Sequence, residues 1–277
     1  MGRYALRFAA LGYLAALVAF PVALVFWRAF ENGLGEAWAS ITTPDALHAL
    51  WLSILIVCIA VPLNTVFGVL CALAIVRRRF RGHGLVNTLV DLPLALSPVV
   101  VGLALILVYG RNGWFGDTLA DAGVRVIFAL PGMVLATIFI SLPFVVREVV
   151  PVLREIGDEQ EQAASTLGAS GWQTFWRVTL PAIRWGVAYG VVLTTARALG
   201  EYGAVAVVSG RIAGKTETLT LHVDEEYLRF NEVAAYTTSL VLAALAVLTL
   251  VLMNIFKPKE YKEVTDVDRR APGHEAV

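Results

Sequence analysis

Charged residues are scarce in this chain. Lys, Arg, Asp and Glu make up 16% of its 277 residues, whereas a soluble domain carries about 25%. Neither sign of charge is in excess, since 22 basic residues balance 22 acidic ones. This composition argues against a soluble globular enzyme, a disordered chain and a nucleic-acid-binding protein.

Cysteine and histidine are also sparse. Cys58 and Cys71 lie in an apolar run and cannot form the disulfide framework of a small secreted domain. The histidines are scattered without the spacing of metal ligands, at His48, His83, His222 and His274. We therefore expect no metal site, and no clustered set of catalytic residues indicates an enzyme.

Long apolar runs fill the chain instead. The hydrophobic fraction is 58% and the mean hydropathy is +0.71. A helix that spans a bilayer needs about 20 mostly apolar residues. Six segments meet this requirement, at about Phe8–Trp27, Ala49–Val76, Thr88–Tyr109, Val126–Val146, Gly186–Val208 and Val233–Phe256. The sequence therefore predicts an all-α integral membrane bundle of six transmembrane helices over residues 1–257.

The distribution of Lys and Arg predicts the orientation of this bundle. The first span follows Arg3 and Arg7, but it is too long for a signal peptide, so we expect it to be retained. If the N-terminus is cytoplasmic, most basic residues fall in inner segments. The basic residues of the outer segments are then Arg28, Arg111, Arg125, Arg211, Lys215 and Arg229. Both termini are expected in the cytoplasm, with residues 258–277 as a polar cytosolic tail.

One inner segment, Arg147–Trp185, is long and organised. Asp158 and Glu161 have the spacing of a capping box, and Gly168 suits the left-handed position that ends a helix. A second short helix is expected over about Ser170–Val178, ending at Leu180-Pro181. It places Trp172, Phe175 and Trp176 on one face. Such a helix either docks in a groove of a partner or lies at the bilayer interface.

Two further patterns lie in the predicted spans. Arg197 and Glu201 are four residues apart near mid-membrane, flanked by Gly200 and Gly203. Charges at this depth cost about 2.5–3.5 kcal/mol each, so they should face protein or water. They form either a structural ion pair or part of an anion path, and the two interpretations are compatible. The third span contains two prolines, Pro93 and Pro98, which predict a kinked helix. The kinked helix either lines the translocation path or only packs against its neighbours.

The stretch Ser209–Thr216 superficially matches a phosphate-binding loop. Such a loop needs four residues between its first Gly and the Gly-Lys-Thr, but only three separate Gly210 from Gly214. The segment also falls on the outer side, away from cytosolic ATP. We interpret it as an external turn and expect no ATPase activity from this chain.

The inner segment resembles the EAA loop of ABC importer permeases, whose pattern is roughly EAA-x3-G-x9-I-x-L-P. Here Gln162 stands at the Glu position and Val178 at the Ile position, while the neighbouring Glu161 offers an acid. In that family the loop couples the permease to the ATPase. The resemblance implies a coupling set of Glu161, Gln162, Ala163, Ala164, Gly168, Trp172, Leu180 and Pro181.

Three other stretches extend the resemblance over about Phe8 to Phe256. They are DLPLALSPVVVGL, LPFVVREVVPVL and RALGEYGAVAVVSGRIAGKTETLTL, which are similar to oxyanion importer permeases, above all the CysW-type permeases of sulfate/thiosulfate importers. The resemblance implies a type I importer fold in a bacterial plasma or inner membrane. The residues of the two patterns in the spans are the path candidates, namely Arg197, Glu201, Gly200, Gly203, Pro93 and Pro98.

The resemblance also implies partners. They are a second permease of the CysT type or a second copy, two CysA-type ATPase subunits that bind ATP and Mg²⁺, and an extracytoplasmic sulfate-binding protein; this chain itself is expected to hold no cofactor. The function that the resemblance implies is import of sulfate, and of thiosulfate as well, by alternating access. A molybdate or tungstate permease is the alternative, and a stand-alone secondary anion transporter is an alternative of a different class.

Overall fold

The structure is a computed structural model that describes residues 2–77 and 82–256. Within these ranges all regular structure is helical. The helices are α1 (Gly2–Phe30), α2 (Leu34–Ile41), α3 (Pro44–Arg77), α4 (His83–Ala95), α5 (Pro98–Tyr109), α6 (Gly116–Asp121), α7 (Leu130–Glu155), α8 (Glu159–Thr166), α9 (Gly171–Thr174), α10 (Leu180–Leu199), α11 (Gly203–Val208), α12 (Leu219–Leu228) and α13 (Glu232–Phe256). The predicted polar tail and the arginines at 78, 79 and 81 lie outside the described residues.

The predicted all-α membrane class is confirmed. Among the described residues, four segments are long and apolar enough to cross a bilayer, namely Leu11–Phe30, Pro44–Arg77, Leu130–Glu155 and Glu232–Val251. A bent pair of helices, α4 and α5, makes a fifth if the two are one span. The fifth predicted span is not among them, so the count of six stays a prediction.

The third predicted span is not one kinked helix. It is broken between α4 and α5, whose axes differ by 112°. Pro98 occupies the first turn of α5, where its missing N–H costs nothing, and Ser97 before it is extended. Pro93, by contrast, lies inside α4. The break therefore occurs at the second proline.

The fourth and fifth predicted spans also have different bounds from those expected. Helix α7 begins four residues later than predicted, because Phe128 has a positive φ of 59° that no helix accommodates. Helix α10 begins at Leu180 rather than at Gly186 and ends at Leu199. The chain then leaves the helical path at Gly200–Tyr202 before α11 begins. A continuous helix through Glu201 is therefore wrong.

Helices α3, α7 and α10 pack against one another at the centre of the bundle. Small residues allow this close approach: a Cβ at Gly68 would lie 2.7 Å from the Val145 Cβ, and one at Gly190 2.8 Å from the Val145 Cα. The fully buried Asn64 on α3 adds hydrogen bonds to the Ile138 carbonyl (3.1 Å) and the Ser141 hydroxyl (2.8 Å) on α7. Packing and polar contacts together fix the register of the central helices.

The central helices define two ends of the bundle. Arg77 at the end of α3 contacts residues 153–161, so the ends of α3 and α7, the start of α10 and all of α8 lie together. We call this the α8 end. The segments 110–129 and 209–218 lie beyond the other ends of α7 and α10, and Phe128 N–H donates to the Val208 carbonyl there (2.8 Å). We call this the opposite end.

Candidate coupling loop and translocation path

The segment from α8 to α10 folds largely as its sequence predicts. Gly168 has φ +84° and ends α8, and the following Ala169 N–H donates to the Ala164 carbonyl (3.0 Å). Ser170 then caps α9: its hydroxyl accepts from the Gln173 N–H (3.3 Å), and the Gln173 side chain accepts from the Ser170 N–H (2.9 Å). The left-handed glycine is thus confirmed, and the reciprocal capping makes the turn after it rigid.

The capping box predicted at the start of α8 does not form. Asp158 occupies the N-cap position, but its side chain makes no capping hydrogen bond. The Glu161 side chain turns instead to Arg77, with 3.0 Å between Arg77 Nε and Glu161 Oε2, and accepts from the Thr179 hydroxyl (2.9 Å). A long-range ion pair therefore replaces the local cap.

Arg77 fixes this segment to the bundle. Besides the ion pair, its guanidinium donates to the Gly157 carbonyl (2.6 Å) and to the Leu153 carbonyl (3.2 Å). The Arg77 and Glu161 side chains are only 18% and 22% exposed, so solvent screens their attraction weakly. Arg77 thereby ties α8 to the ends of α3 and α7.

Leu180-Pro181 does not end the second helix, contrary to the prediction. Helix α9 widens into a π-helical turn, Phe175–Thr179, and continues directly into α10. Pro181 lacks an N–H and its ring would clash with the carbonyl four residues earlier in a regular α-helix. The wider turn accommodates it at the second position of α10. The segment is therefore continuous with the central helix α10.

The outward side of this segment is aromatic and apolar. Leu167, Trp172 and Trp176 are 88%, 71% and 50% exposed. The indole rings of Trp172 and Trp176 meet edge to face at 5.5 Å, and Phe175 beside them packs towards the core. We call Leu167, Trp172 and Trp176 the aromatic face. Docking of this face in a partner stays a prediction.

The predicted coupling residues divide between the outward and inward sides. The ion pair with Arg77 holds the Glu161 side chain on the inward side, whereas the neighbouring Gln162 is exposed. Ala163, Gly168 and Pro181 are exposed too, whereas Ala164 and Leu180 are half-buried. The geometry thus leaves Gln162, rather than Glu161, at the surface that a partner would meet.

Arg197 and Glu201 form the predicted ion pair, with 2.7 Å between Arg197 Nη1 and Glu201 Oε2. The Glu201 side chain is 2% exposed and its other oxygen accepts from the Ala204 N–H (2.9 Å), which caps α11. The Thr220 hydroxyl donates to the Glu201 carbonyl (2.9 Å). The Arg197 side chain remains 32% exposed. Glu201 therefore holds the break in the chain, while Arg197 presents its remaining donors.

The break between α4 and α5 lies beside the break between α10 and α11, and the two are in contact at Gly203. A Cβ at Gly203 would lie 2.8 Å from the Pro98 Cβ, and one at Gly102 would lie 2.7 Å from the Val207 Cβ. The structure thus brings Gly203 and Pro98 together beside Glu201. Gly200 lies in the same break, whereas Pro93 lies in α4 beyond the bend. Their roles in a translocation path stay predictions.

A second polar cluster beside this break was missed by the sequence analysis. Arg211 donates to the Asp224 carboxylate and to the Tyr202 hydroxyl, both at 2.9 Å, and the Tyr202 hydroxyl donates to Asp224 (2.8 Å). Although burial lowers the pKa of Arg211, the hydrogen bonds and charges of Tyr202 and Asp224 raise it above its usual value. The only sequence signal was indirect, since Arg211 lies in the stretch that imitates a phosphate-binding loop.

The chain is similar to known membrane components of transport systems. The family model described as "binding-protein-dependent transport system inner membrane component" matches residues 64–260. The sulfate transport system permease protein CysW of Synechococcus elongatus is 51% identical over 89% of this chain and 86% of its own length. The CysW of Escherichia coli K12 is 47% identical over 88% and 84%, and the CysT of the same strain 36% over 95% and 92%.

A solved structure shares the fold. A bacterial ABC transporter involved in the import of the acidic polysaccharide alginate superposes with a TM-score of 0.76 at 17% identity, covering 91% of this chain and 93% of the other. The match confirms the predicted importer-permease fold. With the family model covering most of the described helices, the chain belongs to the family of binding-protein-dependent transport system inner membrane components, the permeases of ABC importers.

Proposed function

We propose that this chain is the permease subunit of an ABC importer that carries sulfate, and also thiosulfate, into the cytoplasm by alternating access. Relatives named as sulfate permeases are 47% and 51% identical over nearly the whole chain, which supports sulfate over other oxyanions. The structural observation that carries the proposal is the Arg77–Glu161 ion pair, because it joins an exposed, EAA-like segment rigidly to the central helices.

The complex proposed for this chain has four kinds of component. Two ATPase subunits bind ATP and Mg²⁺ and dock on the aromatic face. A CysT-type permease or a second copy of this chain completes the path, and a CysT relative at 36% identity supports a related but distinct partner. A sulfate-binding protein delivers the ion from outside. This arrangement needs six spans with both termini and the α8 end in the cytoplasm.

Arg197 is the candidate contact for the ion in transit. Sulfate is a dianion, and a partly desolvated guanidinium stabilises it through charge-assisted hydrogen bonds. Glu201 contacts one nitrogen of Arg197 and is buried, so it keeps the side chain in place and leaves the other guanidinium N–H groups to donate to the ion. The glycines at the two breaks give the backbone room to move during alternating access.

Uptake of radiolabelled sulfate tests the proposal. The complex is expressed in cells that lack sulfate uptake, with molybdate as a competitor and with ATP depleted as a control. We expect ATP-dependent sulfate uptake that excess molybdate leaves largely unchanged. Uptake of molybdate but not of sulfate would identify molybdate as the transported oxyanion. Uptake that survives ATP depletion would identify a secondary transporter.

A further inference from the structure

A cavity of about 210 Å³ lies between α2, α3 and α13. Because α3 ends at the α8 end, the first turns of α3, which line the cavity, lie at the opposite end. The inner wall is made by the buried residues Ala46, Leu219 and Thr238, whereas Trp38 and Leu47 at the rim are exposed. The cavity therefore opens at the surface of the bundle and has its floor inside it.

The rim belongs to the surface that faces the bilayer. The opening lies between two segments that are long and apolar enough to cross a membrane, Pro44–Arg77 and Glu232–Val251. Leu47 and, one turn later, Trp51 are both exposed on the first of these segments. Lipid chains are as apolar as such side chains and cover them in a membrane. The cavity is thus continuous with the interface between the spans and the lipid.

The floor contains a polar group without a partner. The Thr238 side chain is 1% exposed, and its hydroxyl makes no hydrogen bond within the part of the chain that the structure describes. A hydroxyl in a helix can donate to the carbonyl four residues earlier, and both neighbours do so. Thr237 donates to the Val233 carbonyl (2.6 Å), and Ser239 donates to the Ala235 carbonyl (2.8 Å). Since a buried hydroxyl without a partner is unfavourable, the cavity calls for an acceptor from outside the chain.

The other lining residues favour hydrocarbon over water. A buried water needs about two to four polar partners. Besides Thr238, the one hydroxyl among the described lining residues is that of Thr42, which already donates to the Trp38 carbonyl (2.9 Å). The remaining lining side chains are aliphatic or aromatic. An apolar cavity of about 150 Å³ holds benzene, so this cavity accommodates a stretch of hydrocarbon chain.

The depth of Thr238 identifies the acceptor. Helix α13 begins at Glu232, whose exposed carboxylate belongs at the level of water and lipid headgroups. Thr238 follows six residues later, about 9 Å along the helix axis. Each headgroup region is about 5–8 Å thick, so Thr238 lies near the boundary with the hydrocarbon core. The ester carbonyls of phospholipids lie at this boundary, and the exposed Trp38 is of a type enriched there.

We propose that this cavity binds a phospholipid of the leaflet at the opposite end. An acyl chain fills the cavity, and the Thr238 hydroxyl donates to the ester carbonyl of that chain. In the orientation proposed above, the lipid belongs to the extracytoplasmic leaflet. It joins α2 to α3 and α13 by filling the space between them. The site depends on the membrane class of the chain and goes beyond sulfate import, so it stands or falls separately from the transported ion.

The test compares two lipids that differ in the acceptor. The complex is purified in detergent and incubated with an equimolar mixture of phosphatidylglycerol with ester-linked chains and its ether-linked analogue of equal chain length. Native mass spectrometry counts the lipids that stay bound. We expect the wild type to retain the ester lipid at least about threefold over the ether lipid, because an ether oxygen is a weaker acceptor than a carbonyl.

Thr238→Val keeps the shape of the side chain and removes the hydroxyl, so the two lipids should then be retained about equally. Thr237→Val is the matched control, because the Thr237 hydroxyl is already bonded to Val233 and does not line the cavity. It should keep the wild-type preference. The proposal is overturned if the wild type retains no lipid or shows no preference, or if Thr238→Val keeps the preference. Loss of the preference in Thr237→Val as well would overturn it too, as would loss of the partner permease from purified Thr238→Val, which would make the cavity a subunit interface.

Discussion

At the residue scale, the Arg197–Glu201 pair combines two roles in one contact. Glu201 caps α11 with one carboxylate oxygen and binds Arg197 with the other. Removing it would leave a buried N–H and a partly buried guanidinium without partners. Removing Arg197 would keep the Ala204 hydrogen bond but leave the buried Glu201 carboxylate without its counter-charge. The pair therefore allows the structural role of Glu201 to be separated experimentally from the proposed transport role of Arg197.

Arg197→Ala is expected to lower sulfate uptake at least about tenfold, equivalent to about 1.4 kcal/mol of lost stabilisation of the ion in transit. The complex should still assemble, because Glu201 keeps its bond to the Ala204 N–H. Uptake and co-purification of the partner subunits are measured together. Arg197→Lys, which keeps the charge but not the planar donor set, should lie between wild type and Arg197→Ala. Normal uptake by Arg197→Ala would make the pair purely structural.

At the element scale, the proposed function makes the α8–α10 segment a rigid lever. Gly168 and the Ser170 cap set the angle between its helices, Arg77 fixes α8 to α3, and the π-helical turn makes α9 continuous with α10. Force applied to the aromatic face therefore reaches the central helices by two separate routes. Such a lever works only if the turn at Gly168 keeps its conformation.

Gly168→Val is expected to uncouple transport from ATP hydrolysis. A left-handed conformation costs a β-branched residue roughly 1–2 kcal/mol, so the turn should rearrange. ATP-driven sulfate uptake should fall while the ATPase activity of the complex persists. Gly171→Ala is the matched control, because it lies in the same segment with open space around it and no positive φ. Equal uptake per ATP in Gly168→Val and wild type would contradict the lever.

At the scale of the whole molecule, the two halves of the broken third span are attached mainly to different helices of the bundle. Helix α4 is tied to α7 by the ion pair of Asp91 with Arg147, whose Nε lies 2.8 Å from Asp91 Oδ1. Helix α5 packs on α11 instead. Because α7 leads into α8, we expect a movement of the proposed lever to carry α4 with it, with the change of angle taken up at the bend at Leu96–Ser97.

Asp91→Arg and Arg147→Asp should each reduce sulfate uptake, and the double exchange should restore much of it. The pair is 35% and 45% exposed, so its loss costs at most about 1 kcal/mol and should leave the fold intact. Transport by the single and double variants is compared at equal amounts of assembled complex. A double variant no better than either single one would show that the contact between α4 and α7 does not carry the movement.

The sequence by itself determined the membrane class, the EAA-like segment, the left-handed Gly168 and the spacing of Arg197 and Glu201, because hydropathy, helical periodicity and glycine conformation are local properties. Only the tertiary structure decided that Glu161 binds Arg77 rather than caps α8, and that Pro98 rather than Pro93 breaks its span. Both outcomes depend on residues that are distant in the sequence. Only packing of the helices determines which partner a side chain contacts and where the backbone must bend.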